Sequence, residues 1–282
     1  RAIGNDQDNR LTGTASRNFL DGGLGADTLV GGEGSDIYYV DHINDVVVEQ
    51  SNAGDDSVYA TASYSLANSQ HIERLTLLGD AALHAEGNDV DNTIIGNRQN
   101  NILSGGSGAD RLVGGAGDDT YFVDHVDDRI SESSAVSAGV DTVTSYVDWR
   151  LSSSLEHLFL AYDSSIASGA TEGIGNAGPN RVYGNQLNNV LDGRAGADTM
   201  RGGGGNDLYY VDDLLDLVDE VGPVDIIQNF DVDQVYSGWN LNGLSYDTAT
   251  ITAGSGYLGQ FDENDLLIRQ LDLTSDQVVT FE

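Results

Sequence analysis

Large apolar side chains recur along this chain every nine residues, each set between smaller or polar neighbours and preceded by a glycine-rich polar stretch. From Gly4 the units read GNDQDNRLT, GTASRNFLD, GGLGADTLV, GGEGSDIYY and VDHINDVVV. The same five-unit block returns from Gly87 and again from Gly175. Position eight is apolar or tyrosine throughout: Leu11, Leu20, Leu29, Tyr38 and Val47 in the first block, and their counterparts in the others. One large apolar residue between small or polar neighbours is the period-2 mark of a short half-buried strand. Closely spaced glycines permit positive φ without steric cost, so the first half of each unit reads as a tight turn. A unit thus predicts a turn and a strand. It cannot bury its apolar residue alone, so the units must stack.

Position six of the unit is equally regular. It carries Asn9, Asn18, Asp27, Asp36 and Asp45, then Asn92, Asn101, Asp110, Asp119 and Asp128, then Asn180, Asn189, Asp198, Asp207 and Asp216. Every one is a short side chain with an oxygen. The segments between blocks repeat too. Asp55 to Leu66 aligns with Val140 to Leu151, with Val58, Ala60, Ala62 and Tyr64 expected on one face of a single alternating strand. Ile72 to Leu77 aligns with Leu155 to Leu160. Both are rich in β-branched and aromatic residues without helix caps, so they predict further, wider coils poor in metal ligands rather than a small helical domain. The expected organisation is blocks at 1–48, 87–131 and 175–219, intervening segments at 49–86 and 132–174, and a β-rich cap at 220–282. In that last segment Ala249–Thr252 and Leu266–Ile268 predict strands and AGSGYLG a turn.

Charge changes the picture. The 282 residues hold 12 basic and 46 acidic side chains, a formal net charge of −34, and every basic residue is arginine. Such a balance argues against nucleic acid or an anionic membrane as partner, because both need clustered basic residues. Strong acidity often marks disorder, yet here 39% of residues are hydrophobic and they recur in register, so the pattern predicts a fold that needs cations. With no cysteine there can be no disulfide and no thiolate site. No apolar run is long enough to span a membrane, and the first residues carry no apolar leader segment, which predicts either a fragment or export without an N-terminal signal.

The tandem pair from Gly105 to Phe122, GGSGADRLV then GGAGDDTYF, matches the G-G-x-G-x-D-x-U-x nonapeptide of calcium-binding RTX proteins. The blocks resemble the hemolysin-type calcium repeats of that family. The resemblance implies a right-handed parallel β-roll, an all-β solenoid in which two units make one coil, so every second unit stacks and neighbouring units face opposite sides. It also implies calcium ligands. The candidates are Asp27, Asp36, Asp45, Asp110, Asp119, Asp128, Asp198, Asp207 and Asp216 with the turn glycines. Those glycines are Gly22, Gly23 and Gly25; Gly31, Gly32 and Gly34; Gly105, Gly106 and Gly108; Gly114, Gly115 and Gly117; and Gly202, Gly203 and Gly205. Stacking should place Asp27 beside Asn9 and Asp45, Asp36 beside Asn18, Asp110 beside Asp128, and Asp119 beside Asn101. Calcium suits such turns because it accepts six or more oxygens in loose geometry, whereas magnesium demands a strict octahedron. Roughly six to nine ions would offset about 12–18 of the negative charges. Two departures stand out. The first two units of each block carry asparagine at position six and read as asparagine-ladder turns, and Arg194 occupies a glycine position in the third block.

Catalysis has little support in the residues. No GxSxG elbow, HExxH helix or phosphate-binding loop occurs. His42 and His125 share a repeat position that Asp213 fills in the third block, which points to a turn role. Tyr146, Trp149, Tyr162 and Trp239 are open to two readings, a carbohydrate-contact surface or packing within the coils. The sequence therefore predicts a non-catalytic, calcium-dependent solenoid of a secreted, cell-surface, matrix or adhesin-type protein. Export by the type I route is what the resemblance implies, and a surface polysaccharide or self-association would supply the partner. The alternatives are the C-terminal export and folding region of a secreted enzyme or toxin, and a polysaccharide-acting β-helix.

Overall fold

The computed structural model describes residues 1–51, 54–67, 71–132, 139–165, 167–213 and 215–220, followed by the strands Ile226–Asn229, Thr250–Ala253, Gly256–Phe261, Leu267–Leu273 and Gln277–Thr280. Among these residues all regular structure is β. The chain divides into two compact units, Arg1–Thr142 and Val143–Glu282.

In the first unit, alternate strands build one parallel sheet: Ala2–Ile3, Phe19–Asp21, Ile37–Val40, Ser57–Ala60, Arg74–Leu77, Thr93–Ile95, Arg111–Val113 and Arg129–Ser131. Among the described residues, the strands that alternate with these stay out of that sheet. Arg10–Thr12, Thr28–Val30 and Val46–Val48 form one row, and Tyr64–Ser65, His84–Glu86, Ile102–Ser104 and Thr120–Val123 another. Consecutive strands therefore lie in different sheets. Leu20 pairs with Tyr38 and Ile94 with Leu112, in each case two nonapeptides further along. This is a parallel β-solenoid, and its period follows from a two-unit coil.

Register places position eight of every unit in a column facing the interior. All of these side chains are buried except Leu11, Ile130 and Val218. Tyr38, Tyr121 and Tyr209, the position-eight residues of the fourth units, are fully enclosed. Each fully buried leucine contributes roughly 1.5–3 kcal/mol. No single coil can enclose it, so the stack stabilises as a whole.

The segments between blocks join the same sheets, with two differences from expectation. Asp55 to Leu66 is not one strand: Ser57–Ala60 and Tyr64–Ser65 are separated by a bend at Thr61–Ala62 and enter different sheets. Val58, Ala60 and Tyr64 are buried all the same, because the bend is the corner of a coil. Nor is every such coil wider. The steps from Tyr38 to its partner Val58 and from Leu75 to Ile94 exceed two nonapeptides, but the step from Val58 to Leu75 falls short of two.

The second unit repeats the plan. Trp149–Arg150, Glu172–Ile174, Val190–Asp192, Leu208–Val211, Ile226–Asn229 and Thr250–Ala253 run parallel. The wider coils lie here, since Trp149 pairs with Gly173 and Leu158 with Val182, each well beyond two nonapeptides. Parallel pairing ends where Gln277–Thr280 adds antiparallel to Thr250–Ala253. Gly256–Phe261 forms a hairpin pair with Leu267–Leu273, so most of AGSGYLG is strand rather than turn. Glycine carries no side-chain preference, and its antiparallel partner decides the conformation.

Candidate metal centres

The turns stack through their sixth residues. The Asn9 backbone N–H donates to Asp27 Oδ1 at 2.7 Å, and the Asp27 N–H to Asp45 Oδ1 at 2.8 Å. On the other side, the Asn18 N–H donates to Asp36 Oδ1 at 2.5 Å. The second block repeats this with Asn92 to Asp110 at 2.6 Å, Asp110 to Asp128 at 2.9 Å and Asn101 to Asp119 at 2.7 Å. The third has Asn180 to Asp198 at 2.7 Å, Asp198 to Asp216 at 3.0 Å and Asn189 to Asp207 at 2.7 Å. One carboxylate oxygen of each aspartate thus satisfies an amide of the previous coil, which the interior would otherwise leave without an acceptor.

The second oxygen separates three kinds of turn. In the asparagine turns the amide group is consumed internally. Asn92 Oδ1 accepts the Asn88 N–H at 2.8 Å, and its Nδ2 donates to the Ile72 carbonyl at 2.8 Å. In the fifth units, Asp45 Oδ2 accepts the N–H groups of Asp41 and His42, both at 3.1 Å, and Asp128 and Asp216 do the same. In the GGxGxD units of the first two blocks and the GRAGAD unit of the third, Asp27, Asp36, Asp110, Asp119 and Asp198 are at most 1% exposed, and no donor reaches Oδ2 of any of them.

A buried carboxylate oxygen without a donor must hold a proton or a cation. Burial, reinforced by the charges of Asp128, Asp124 and Asp91, pushes Asp110 up to about 7. Burial, with Asp141 and Asp118 nearby, does the same to Asp119, and burial with Asp216, Asp212 and Asp213 to Asp198. These are places where a negative charge is costly until a cation arrives.

The glycines fit the same purpose. A Cβ at Gly22 or Gly105, the first glycine of its turn, would collide with Oδ2 of Asp27 or Asp110, so that position leaves the oxygen its space. The second and fourth positions are left-handed, as at Gly106 (φ 81°) and Gly108 (φ 127°). There, turn carbonyls of the preceding coil crowd in: a Cβ at Gly106 would meet the Asn88 carbonyl oxygen at 2.5 Å. Carboxylate and carbonyl oxygens packed around glycine form the hard-oxygen donor set that calcium prefers. Arg194 is the exception. It holds φ 67° without being glycine, its side chain tied to Asp192 by a 2.9 Å ion pair.

The family model of the RTX calcium-binding nonapeptide repeat, four copies long, matches residues 3–38, 86–121 and 174–209. The chain carries RTX calcium-binding nonapeptide repeats. The three matched segments span the first four units of each block, and RTX repeats bind calcium ions. No curated protein matches the chain.

The RTX resemblance anticipates the stacked pairs within each block but misses the acidic residues that extend two of the stacks beyond it. Asp36 N–H donates to Asp56 Oδ1 at 2.6 Å, and Asp119 N–H to Asp141 Oδ1 at 2.8 Å. Asp56 and Asp141 are completely buried, and both lie further along the chain than the nine-residue count reaches. The signal was present as a shared aspartate at the second position of the two aligned inter-block segments. The histidine expectation agrees with the structure. His42 Nδ1 accepts the Asn44 N–H, His125 Nδ1 that of Asp127, and Asp213 Oδ1 that of Leu215. Of the four aromatic candidates, Tyr146 is exposed, Trp149 and Tyr162 are half-buried, and Trp239 lies outside the described residues.

Proposed function

We propose that this RTX chain is a non-catalytic module whose folding is switched on by calcium at extracellular concentration, and that Asp27, Asp36, Asp110, Asp119, Asp198 and Asp207, with their turn glycines, are the principal ligands. The observation that supports it most strongly is the buried, donorless Oδ2 of Asp27, Asp36, Asp110, Asp119 and Asp198, contrasted with the self-satisfied asparagine turns in the same stack. With a net charge of −34 the stacked carboxylates oppose folding until calcium neutralises them. Asp45, Asp128 and Asp216 act as lower partners of the stacks, since both oxygens of each already accept backbone N–H groups.

Export as an unfolded chain, followed by folding outside the cell as part of a secreted or surface protein, follows from such a switch. The carboxylates follow the repeat instead of forming one unique acid pair, which favours a structural over a polysaccharide-cleaving role. The experiment is a calcium titration read by far-UV circular dichroism, with magnesium as control and with alginate and pectin cleavage assayed on the folded protein. Calcium-dependent gain of β signal without cleavage is the expected result. A β signal that survives chelation sinks the switch, and cleavage sinks the non-catalytic assignment.

A further inference from the structure

The fourth turn of the first and second blocks ends in a feature unlike the other turns. Asp36, Glu49 and Asp56 each place a carboxylate oxygen within 4.8 Å of the others, and Asp119, Glu132 and Asp141 do the same. Glu49 and Glu132 follow their sixth-position aspartates at the same offset. The chain then takes a longer path to Asp141 than to Asp56, yet the same three groups converge.

Asp36 and Asp56 are 1% and 0% exposed, and Oδ2 of each is without a hydrogen-bond donor, as is Oδ2 of Asp119. Among the described residues no arginine pairs with Asp36, Glu49 or Asp56. The oxygens are aimed at one point. A Cβ on Gly31 would collide with Asp36 Oδ2, Glu49 Oε1 and the Tyr38 hydroxyl, and one on Gly114 with Asp119 Oδ2, Glu132 Oε1 and the Tyr121 hydroxyl. Tyr38 donates its hydroxyl to Glu49 Oε1. In sequence, Asp207 and Glu220 keep the same offset in the third block.

We infer that each triad, Asp36–Glu49–Asp56 and Asp119–Glu132–Asp141, is a cation site of its own, built from side-chain carboxylates instead of a second glycine turn, and that it holds calcium. The inference rests on the calcium reading of the turns, because Asp36 and Asp119 belong to both. Three carboxylates give the site a formal charge of −3, more than a pair of stacked turns, and ligand charge count sets calcium affinity. The triads therefore load first and close each block before the weaker turns fill. Such a site also favours trivalent lanthanides, and the tyrosine hydroxyl at its edge makes terbium a direct reporter.

The test uses the full chain in millimolar calcium. The double variant Glu49→Gln/Glu132→Gln keeps the shape and removes one carboxylate from each triad. Atomic-emission analysis after equilibrium dialysis should find two fewer calcium ions per chain than in the parent, and tyrosine-sensitised terbium emission should fall severalfold. Tyr38→Phe/Tyr121→Phe should lose the same emission while keeping the parent's calcium count, which guards against a double glutamine variant that fails to fold. An unchanged ion count in the glutamine variant, or a stability gain in calcium as large as in chelator, would show that the triads hold protons and overturn the inference with the turn sites intact. A parent protein that binds no calcium would overturn both.

Discussion

Replacing Asp110 with asparagine should move the stability of this protein in opposite directions with and without calcium. Asparagine keeps an oxygen for the Asn92 N–H, which sits 2.6 Å from Asp110 Oδ1, so the stack hydrogen bond survives. What changes is the charge on a side chain only 1% exposed. Burial and neighbouring acids raise Asp110 from 3.8 to about 7. A raised carboxylate contributes stability that is fully present below its unfolded pKa and lost as pH rises through the folded one. At slightly alkaline pH the ionised group therefore costs the calcium-free fold up to about 4 kcal/mol, which asparagine removes. In calcium the same substitution deletes a charged ligand, and the midpoint of the calcium titration should rise on the order of tenfold. The assay is circular dichroism in two arms: folding driven by trimethylamine N-oxide in chelator, which strengthens burial without supplying a cation, and folding driven by calcium. Asp110→Asn should need less osmolyte and more calcium. A shift to easier folding in both arms would mean that Asp110 is not a ligand, and the reasoning would fail.

Further outcomes follow from other parts of the structure. In chelator, lowering the pH from about 8 to about 5 should increase β signal. Burial raises Glu49 to about 8, Asp110, Asp119 and Asp198 to about 7 and Asp56 to about 6, and the stability these groups contribute when protonated is lost as pH climbs through that window. Arg194→Gly should raise the melting temperature in calcium, because relieving a left-handed arginine returns about 1 kcal/mol against an exposed ion pair worth less. Leu112→Ala, in a fully buried position paired with Ile94 and Ile130, should cost about 2–5 kcal/mol in denaturant unfolding with calcium present.

The nine-residue count made a stack of turn-and-strand units legible, because one apolar residue per unit cannot be buried alone, and the RTX resemblance supplied the two-unit coil. With that coil in hand, Asp27, Asp36, Asp110 and Asp119 could be paired with their stack partners by counting two units along the chain. The bend at Thr61–Ala62 could not, since alternation of apolar residues is preserved when a chain turns a corner and enters a second sheet. Asp56 and Asp141 escaped for a related reason: short insertions of unequal length take them off the count, and only register in three dimensions restores them to the stack. The difference between the two oxygens of one aspartate is likewise beyond any sequence pattern. Asp45 and Asp27 look equivalent in the repeat, yet the turn at Asp41–His42 folds back onto Asp45 Oδ2 and leaves Asp27 Oδ2 bare.

The central claim is that calcium, by occupying the GGxGxD turns, creates the stacked coils rather than decorating coils already formed. Hydrogen exchange of the segment Gly105–Phe122 and of the Asn92 and Asn101 amides, which donate to Asp110 and Asp119, tests this directly. These amides should exchange like those of an unstructured chain in chelator and become strongly protected in millimolar calcium, with magnesium giving no protection. Protection that is already complete in chelator would contradict the account.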